Sequence, residues 1–280
     1  MLEALFSPKS VAVVGASANP EKLGHSVLHN MLSFGYAGEV YPVNPKADEV
    51  QGRKAYARLI DIPGPVDLAV IVVPNQQVAA MMQDCGEKGV KAAIVISGGF
   101  REIGGEGIVL EDEMVRIARG YGMRIMGPNG IGVVDTHTPL DTTFVIGMPP
   151  RGNIAFMSQS GALVGSIIDW TMGRGIGFSR LLSVGNEADV NETDVLPYLT
   201  HDSVSDVITL YLEDVKGGPP FLDALREAAA RKPVLVLKGG RTASGQAATA
   251  SHTGALAGVH AAFRAACKQT GVIEVERGED

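Results

Sequence analysis

The residues of this chain that could carry out chemistry are few, and they sit in loops of small side chains. His252 lies inside the run GGRTASGQAATASHTGALAG, residues 239–258. A connection of that length is uncommon within a compact domain and is often functional. An imidazole is largely neutral near pH 7 and can then act as a nucleophile. The stretch SQSG at 158–161 offers a different chemistry. It follows a strand pattern and precedes a helical one, so the unpaired N–H groups of the first helical turn would face an anion. Ser158 and Ser160 add hydroxyl donors, although an ordinary serine cap explains the same residues. Glu213 and Asp214 close the run DVITLYL, where a carboxylate can reach a ligand, a partner side chain or solvent. His25 and His29 are four residues apart on a predicted helix and could share a face. No third ligand is near them in sequence, so they read as a solvated or half-buried pair and no metal site is expected.

These loops need a scaffold that presents them side by side. Strand patterns over 10–14, 39–43, 67–73, 91–96 and 124–126 alternate with helical patterns over 25–34, 77–88 and 108–120. The run DLAVIVV at 67–73 is apolar throughout, as in a strand buried on both faces. Such alternation predicts a parallel, doubly wound α/β sheet, whose ligands bind outside the carboxyl ends of the strands. Those ends read Gly15-Ala16-Ser17, Asn44-Pro45-Lys46, Pro74-Asn75, Ser97-Gly98-Gly99 and Gly127-Pro128-Asn129, a rim of nucleotide size. The dinucleotide fingerprint Gly-x-Gly-x-x-Gly is not met: Ser17 stands where its second glycine belongs, and the next glycine is Gly24. Residues 138–151 hold Pro139, Gly147, Pro149 and Pro150 and read as a crossing between domains. A second series follows, with strands over 153–157, 178–184, 206–212, 233–238 and 271–275 and helices over 162–172, 193–200, 221–230 and 255–267. It reads as a flavodoxin-like unit, giving two domains, 1–138 and 139–280.

The composition bounds the partners. The chain has 280 residues, 45% hydrophobic and 20% charged, an ordinary soluble balance. Its net charge of −7 and the lack of a basic cluster argue against nucleic acid. Cys85 and Cys267 belong to no Cys-x-x-Cys pair, so a reducing cytoplasm is expected rather than a disulfide framework. The start MLEALFSPKS lacks the pattern of a signal peptide, and no apolar stretch approaches the ~20 residues of a membrane helix. The final VERGED follows closely on a predicted strand, as the cut end of a longer protein would.

The stretches SVAVVGAS, YPVNPK, DLAVIVVP, ISGGF, GPNGIG, SQSGAL, SVGNEADV, YLEDV and SHTGALAG carry a resemblance. In this order they make the chain resemble the alpha portion of ADP-forming acyl-CoA synthetases, relatives of succinyl-CoA synthetase. The resemblance implies a Rossmann-like CoA-binding domain followed by a flavodoxin-like domain with a histidine that becomes phosphorylated. Carried over by position, coenzyme A would be held by Ser17, Lys22, Gly24, Lys46, Pro74, Ser97, Gly98 and Gly99, with Asn129 near its reactive end. Phosphate would sit at Ser158, Gln159, Ser160, Gly161 and Ala162. His252 would be the phosphorylated residue and Glu213 the acid that orients it, with Glu187 as a competing candidate. The family also implies inorganic phosphate as a reactant and a small carboxylic acid or its acyl-CoA as substrate. ADP or ATP with Mg2+ would be held by an ATP-grasp subunit or fused domain outside this sequence. An oligomer is expected.

Two other readings compete. A non-catalytic CoA-binding regulatory module, such as one fused to an acetyltransferase, would have no use for the intact SHTGA context of His252. A nicotinamide-dependent dehydrogenase is disfavoured by Ser17 and by Asn44, where an acid would bind the ribose.

Overall fold

The computed structural model describes residues 2–241 and 260–276. A one-turn helix α1 (Glu3–Phe6) precedes β1 (Ser10–Val14), all five residues of which are buried. There follow α2 (Leu23–Ser33), β2 (Glu39–Val43), the hairpin strands β3 (Glu49–Val50) and β4 (Arg53–Lys54), and β5 (Leu68–Ile71). Next come α3 (Asn75–Lys88), β6 (Ala92–Val95), α4 (Glu106–Gly120) and β7 (Arg124–Met126). The order β2-β1-β5-β6-β7 makes a five-stranded sheet, parallel throughout.

The chain then enters a second sheet through β8 (Gly132–Asp135) and β9 (Leu140–Asp141). It continues with β10 (Arg151–Ser158), α5 (Gly161–Thr171), β11 (Phe178–Ser183), α6 (Glu192–His201) and β12 (Val207–Leu212). The described chain ends with α7 (Gly218–Ala229), β13 (Val234–Lys238), α8 (His260–Thr270) and β14 (Ile273–Val275). The sheet order is β14-β13-β12-β10-β11-β8-β9, with five parallel strands and the antiparallel pair β8 and β9 at one edge. This is the expected pair of α/β units, Rossmann-like and then flavodoxin-like.

Several elements differ from the sequence expectation for local reasons. Helix α7 begins at Gly218 rather than 221 because Pro219 and Pro220 lie in its first turn, where proline loses no hydrogen bond. The hairpin β3–β4 has two residues per strand, too few to show an alternation; its turn is Gln51-Gly52, both at positive φ. The segment read as a domain crossing, 138–151, contains β9, which pairs with β8 just before it, and residue 138 lies between the two strands. The helix expected over 255–267 is described from His260 onward.

One hydrophobic core runs through both halves. Phe6, Val11, Val13, Leu28 and Met31 of the first share a cluster with Leu182, Val184, Leu196 and Leu225 of the second. At this junction Asn30 of α2 donates through Nδ2 to the carbonyls of Thr143 and Val145 at 2.9 and 2.8 Å. Beside it Asp141 is fully buried; Oδ1 accepts from the Thr143 amide at 2.7 Å, while Oδ2 has no hydrogen-bond partner among the described residues. Burial pushes the Asp141 carboxyl from 3.8 to about 7 despite hydrogen bonds from Thr143 and Asn30. The folded value is the higher one, so this group favours folding most below the unfolded value, and its contribution is lost as pH rises towards 7. Denaturant titration should show stability falling over that window by at most about 1.4 kcal/mol per pH unit. Asp141→Asn should remove that part of the slope.

Candidate functional site

In an open parallel sheet the crevice for a ligand opens where the strand order reverses. In the first sheet that point lies between β1 and β5, beyond Val14 and Ile71. The turn after β1 is closed by α2: a Cβ on Gly24 would lie 2.0 Å from the carbonyl oxygen of Gly15, so only glycine lets the helix start approach so closely. Ser17 Oγ accepts from the Asn19 amide at 3.0 Å. Asn44 Nδ2 donates to the Ala16 carbonyl at 2.8 Å, and its Oδ1 accepts from the Lys46 amide at 2.8 Å. Asn44 thus braces the Ser17 turn from the place an acid would occupy in a dinucleotide site. Gln51, at the hairpin tip, donates to the His25 and Ser17 carbonyls at 3.0 and 3.5 Å. Lys22 and Lys46 are exposed beside this turn and can meet phosphate as compact cations.

The other half of the rim is held more tightly. Pro74 caps α3, and Ser97 Oγ donates to the Val73 carbonyl at 2.5 Å. The Ser97 carbonyl accepts from the Asn129 amide at 2.9 Å. Asn75 Nδ2 donates to the Gly99 carbonyl at 2.5 Å. Glu102 gathers the amides of Gly99 and Phe100 at 2.5 and 3.1 Å. Burial alone would raise the Glu102 carboxyl, but hydrogen bonds from Asn186 and these amides hold it below the usual range. A Cβ on Gly98 would stand 3.0 Å from Asn129 Oδ1, so the Ser97-Gly98-Gly99 turn and Asn129 are neighbours.

In the second sheet the order reverses between β10 and β12, which end at Ser158 and Leu212. The SQSG turn and Glu213 therefore face one another. Ser158 Oγ accepts from the Ser160 amide at 3.0 Å and donates to the Ser160 carbonyl at 2.8 Å. Ser160 caps α5, accepting from the Leu163 amide at 3.3 Å. Gly161 and Ala162 open the helix, where backbone N–H groups have no intrahelical acceptor. Gln159 is 7% exposed and its amide is fully engaged. Its Oε1 accepts from the amides of Glu213 and Asp214 at 2.5 and 3.0 Å. Its Nε2 donates to Glu187 Oε2 at 2.8 Å and to the Asp214 carbonyl at 3.0 Å. The side chains of Ser158 and Gln159 thus shape the turn, while the helix start faces outward.

Glu213 is buried, and Tyr211 lies against it. Burial, then the charge of Glu213 and a hydrogen bond to it, raise the Tyr211 hydroxyl above its ordinary value. Lys238 Nζ donates to the carbonyls of Glu213 and Gly239 at 2.6 and 2.8 Å. Burial lowers this ammonium, with Asp214 and Glu213 opposing. His252 lies outside the described residues. His25 and His29 stack with ring centroids 5.8 Å apart, and among the described residues no group of three His, Cys, Asp or Glu could hold a metal ion.

The two rims meet. A Cβ on Gly161 would stand 2.8 Å from Ile131 Cγ2, so the start of α5 packs on the turn that carries Asn129. A Cβ on Gly185 would stand 2.2 Å from the Pro128 carbonyl oxygen. Asn129 Nδ2 donates to Asn186 Oδ1 at 3.3 Å, and Asn186 Nδ2 donates to Glu102 Oε2 at 2.6 Å and Glu111 Oε2 at 3.0 Å. A continuous path of side chains therefore links the Ser97-Gly98-Gly99 turn, Asn129, the loop 185–189, Gln159 and Glu213. Ser17, Lys22, Gly24 and Lys46 lie at the other end of the first rim. Asn75 was read as part of the rim, whereas Gln51, Glu102, Asn186 and Lys238 were not singled out, being ordinary polar residues in turns or at a strand end. Gln159→Leu would strand the Glu213 amide and Glu187 Oε2 in a dry site. It should cost about 1–3 kcal/mol in denaturant unfolding.

Comparison with known proteins agrees with this architecture. The family described as a CoA binding domain matches residues 9–136, and that described as a succinyl-CoA ligase like flavodoxin domain matches residues 151–280. The alpha subunit of ADP-forming acetate–CoA ligase II from Pyrococcus furiosus is 47% identical over 273 residues, covering 98% of this chain and 59% of that protein. ADP-forming acetate–CoA ligase I from Archaeoglobus fulgidus is 45% identical over 279 residues, covering 100% of this chain and 40% of that protein. Among solved structures, dinucleotide-forming acetyl-coenzyme A synthetase 1 of Candidatus Korarchaeum cryptofilum, in complex with phosphate and ADP, superposes with a TM-score of 0.96 at 44% identity. It covers 100% of this chain and 60% of that one. The chain thus spans between two fifths and three fifths of the length of these relatives. Residues 9–136 thus match the CoA-binding domain family and residues 151–280 the succinyl-CoA ligase like flavodoxin family, and nearly the whole of this sequence is similar to part of the ADP-forming acetate–CoA ligases.

Proposed function

We propose that this chain is the CoA- and phosphate-handling part of an ADP-forming acyl-CoA synthetase. The observation that carries the reading is the meeting of the two rims: the start of α5 packs against the turn bearing Asn129, so a phosphate at one and an acyl thioester at the other would be neighbours. A phosphate oxygen attacks the thioester carbonyl carbon, the C–S bond breaks, and coenzyme A leaves as the thiol with a proton, giving an acyl phosphate. Neutral imidazole of His252 then takes the phosphoryl group and the carboxylic acid departs. Phosphohistidine passes that group to ADP, forming ATP. Run backwards, the sequence activates an acid with ATP and CoA.

Each residue type suits its step. Ser17, Lys22, Gly24, Lys46, Pro74 and the Ser97-Gly98-Gly99 turn form the CoA rim, with Asn129 at the reactive end. The helix start at Gly161 and Ala162 holds phosphoryl oxygens while charge moves, the electrostatic role that phosphoryl transfer mainly demands. Glu213 is the acid assigned to orient His252: a carboxylate accepting from one ring nitrogen leaves the other free to attack and stabilises the cationic phosphorylated ring. Glu187 suits that task less, because its Oε2 is taken by Gln159.

The phosphate and ADP held by the Korarchaeum synthetase support those ligands here. ADP and its Mg2+ belong to an ATP-grasp subunit or domain, the partner that completes the cycle, and the assembly is oligomeric. The substrate is a small carboxylic acid and its acyl-CoA. Two free, buried cysteines fit a reducing cytoplasm, and among the described residues no helix is long and apolar enough to cross a membrane.

The reading is tested with labelled ATP and the ATP-grasp partner. The expected product is an acid-labile, base-stable phosphoryl group on this chain, absent in His252→Ala. Undiminished labelling of that variant would overturn the assignment.

A further inference from the structure

Glu187 and Glu192 are a pair of buried acids that the steps above do not use. They are 4% and 0% exposed. Glu187 stands on the loop 185–189 with φ +53°, a conformation rare for a residue with a side chain. Glu192 opens α6. Each carboxyl has one oxygen engaged: Glu187 Oε2 accepts from Gln159 Nε2 at 2.8 Å, and Glu192 Oε1 accepts from the Lys216 amide at 3.0 Å. Among the described residues the remaining oxygens, Glu187 Oε1 and Glu192 Oε2, are buried without a donor, and the two acids are near enough for the charge of one to act on the other.

The surrounding charges do not neutralise two carboxylates. Lys216 Nζ donates to the Asn186 and Glu187 carbonyls at 2.6 and 3.1 Å rather than to either acid. Arg124 is paired with Asp189 and Asp194. Glu213 and Asp214, from the end of β12, and Glu102, across Asn186, add negative charge, while Glu111 beside Glu102 is paired with Arg101 at 2.7 Å. Burial and then the charge of Glu192 push the Glu187 carboxyl well above the usual range, with Lys216 and the Gln159 amide opposing. One proton between the acids satisfies both leftover oxygens at once, as in other carboxyl pairs that cannot both ionise.

We propose that Glu187 and Glu192 share a single proton, and that the pair is a positioning element that holds Gln159, and through it the main chain of Glu213 and Asp214, in register with the phosphate turn. This rests on the function proposed above only in what is being positioned; the shared proton rests on the burial of the two acids and their unpartnered oxygens. Glu187 then works as a hydrogen-bond acceptor for Gln159 and needs no charge of its own. A glutamine at 187 can do the same, accepting from Gln159 and donating to Glu192, whereas alanine cannot.

Infrared spectra of the full chain near neutral pH should contain a protonated-carboxyl C=O band that shifts in D2O. Measured in the Asp141→Asn background, which removes the other carboxyl raised to about 7, the band should remain, and it should vanish when Glu187→Gln or Glu192→Gln is added. Absence of such a band, or its survival in both glutamine variants, overturns the shared proton whatever the enzyme does. With the ATP-grasp partner and labelled ATP, Glu187→Ala should slow labelling about tenfold while Glu187→Gln keeps the wild-type rate. Labelling of Glu187→Ala at the wild-type rate, or of Glu187→Gln as slowly as the alanine variant, overturns the positioning role. No labelling of wild type would count against the proposed function and leave the infrared result standing.

Discussion

A single buried amide organises the second site. Gln159 sits at the strand-order reversal between β10 and β12 and spends its side chain on four contacts: two main-chain amides, one carbonyl and the Glu187 carboxyl. In a site this dry each of those groups would cost about 1–3 kcal/mol if left unpaired. The cost fixes the relative positions of three loops, namely the turn at 158–161, the end of β12 and the loop 185–189. Apart from His252, which lies outside the described residues, every residue of the candidate site lies on one of these loops or on the first rim that they touch.

The same neighbourhood concentrates backbone strain. Among the described residues three non-glycine side chains stand at positive φ: Gln51, Asn129 and Glu187. Each is in the rims: Gln51 braces the Ser17 turn, Asn129 joins the two sites, and Glu187 holds Gln159. Strained backbone of this kind persists only where its surroundings over-determine it, and it gathers at functional sites. The packing behind supplies that constraint, since one apolar core spans both sheets and leaves little freedom for one half to shift against the other.

Much of this was legible in the sequence, and for a physical reason. Buried parallel strands must be apolar and must end in small or polar residues, so runs such as DLAVIVV and their terminal turns announce both the sheet and its ligand edge. Strand pairs of two residues, β3–β4 and β9, carry no readable period. The side chains that fasten the turns were hidden for another reason. Glu102, Asn75 and Asn186 are polar residues of common types, and only tertiary contact shows that Glu102 gathers the amides of Gly99 and Phe100 or that Asn186 bridges the two rims. Gln159 was read as a member of a turn expected to hold phosphate, but not as the amide that fixes that turn. Glu187 was read as an alternative partner of His252; among the described residues it meets Gln159 and Glu192.

The central claim is that the two rims form one reaction site. It is tested most directly by a crystal structure of the chain with coenzyme A and phosphate bound together. The account predicts the thiol end of CoA beside Asn129 and phosphate at the amides of Gly161 and Ala162, with the sulfur and a phosphate oxygen a few ångström apart. A thiol directed away from Asn129, or a phosphate held anywhere else while CoA is in place, would contradict it.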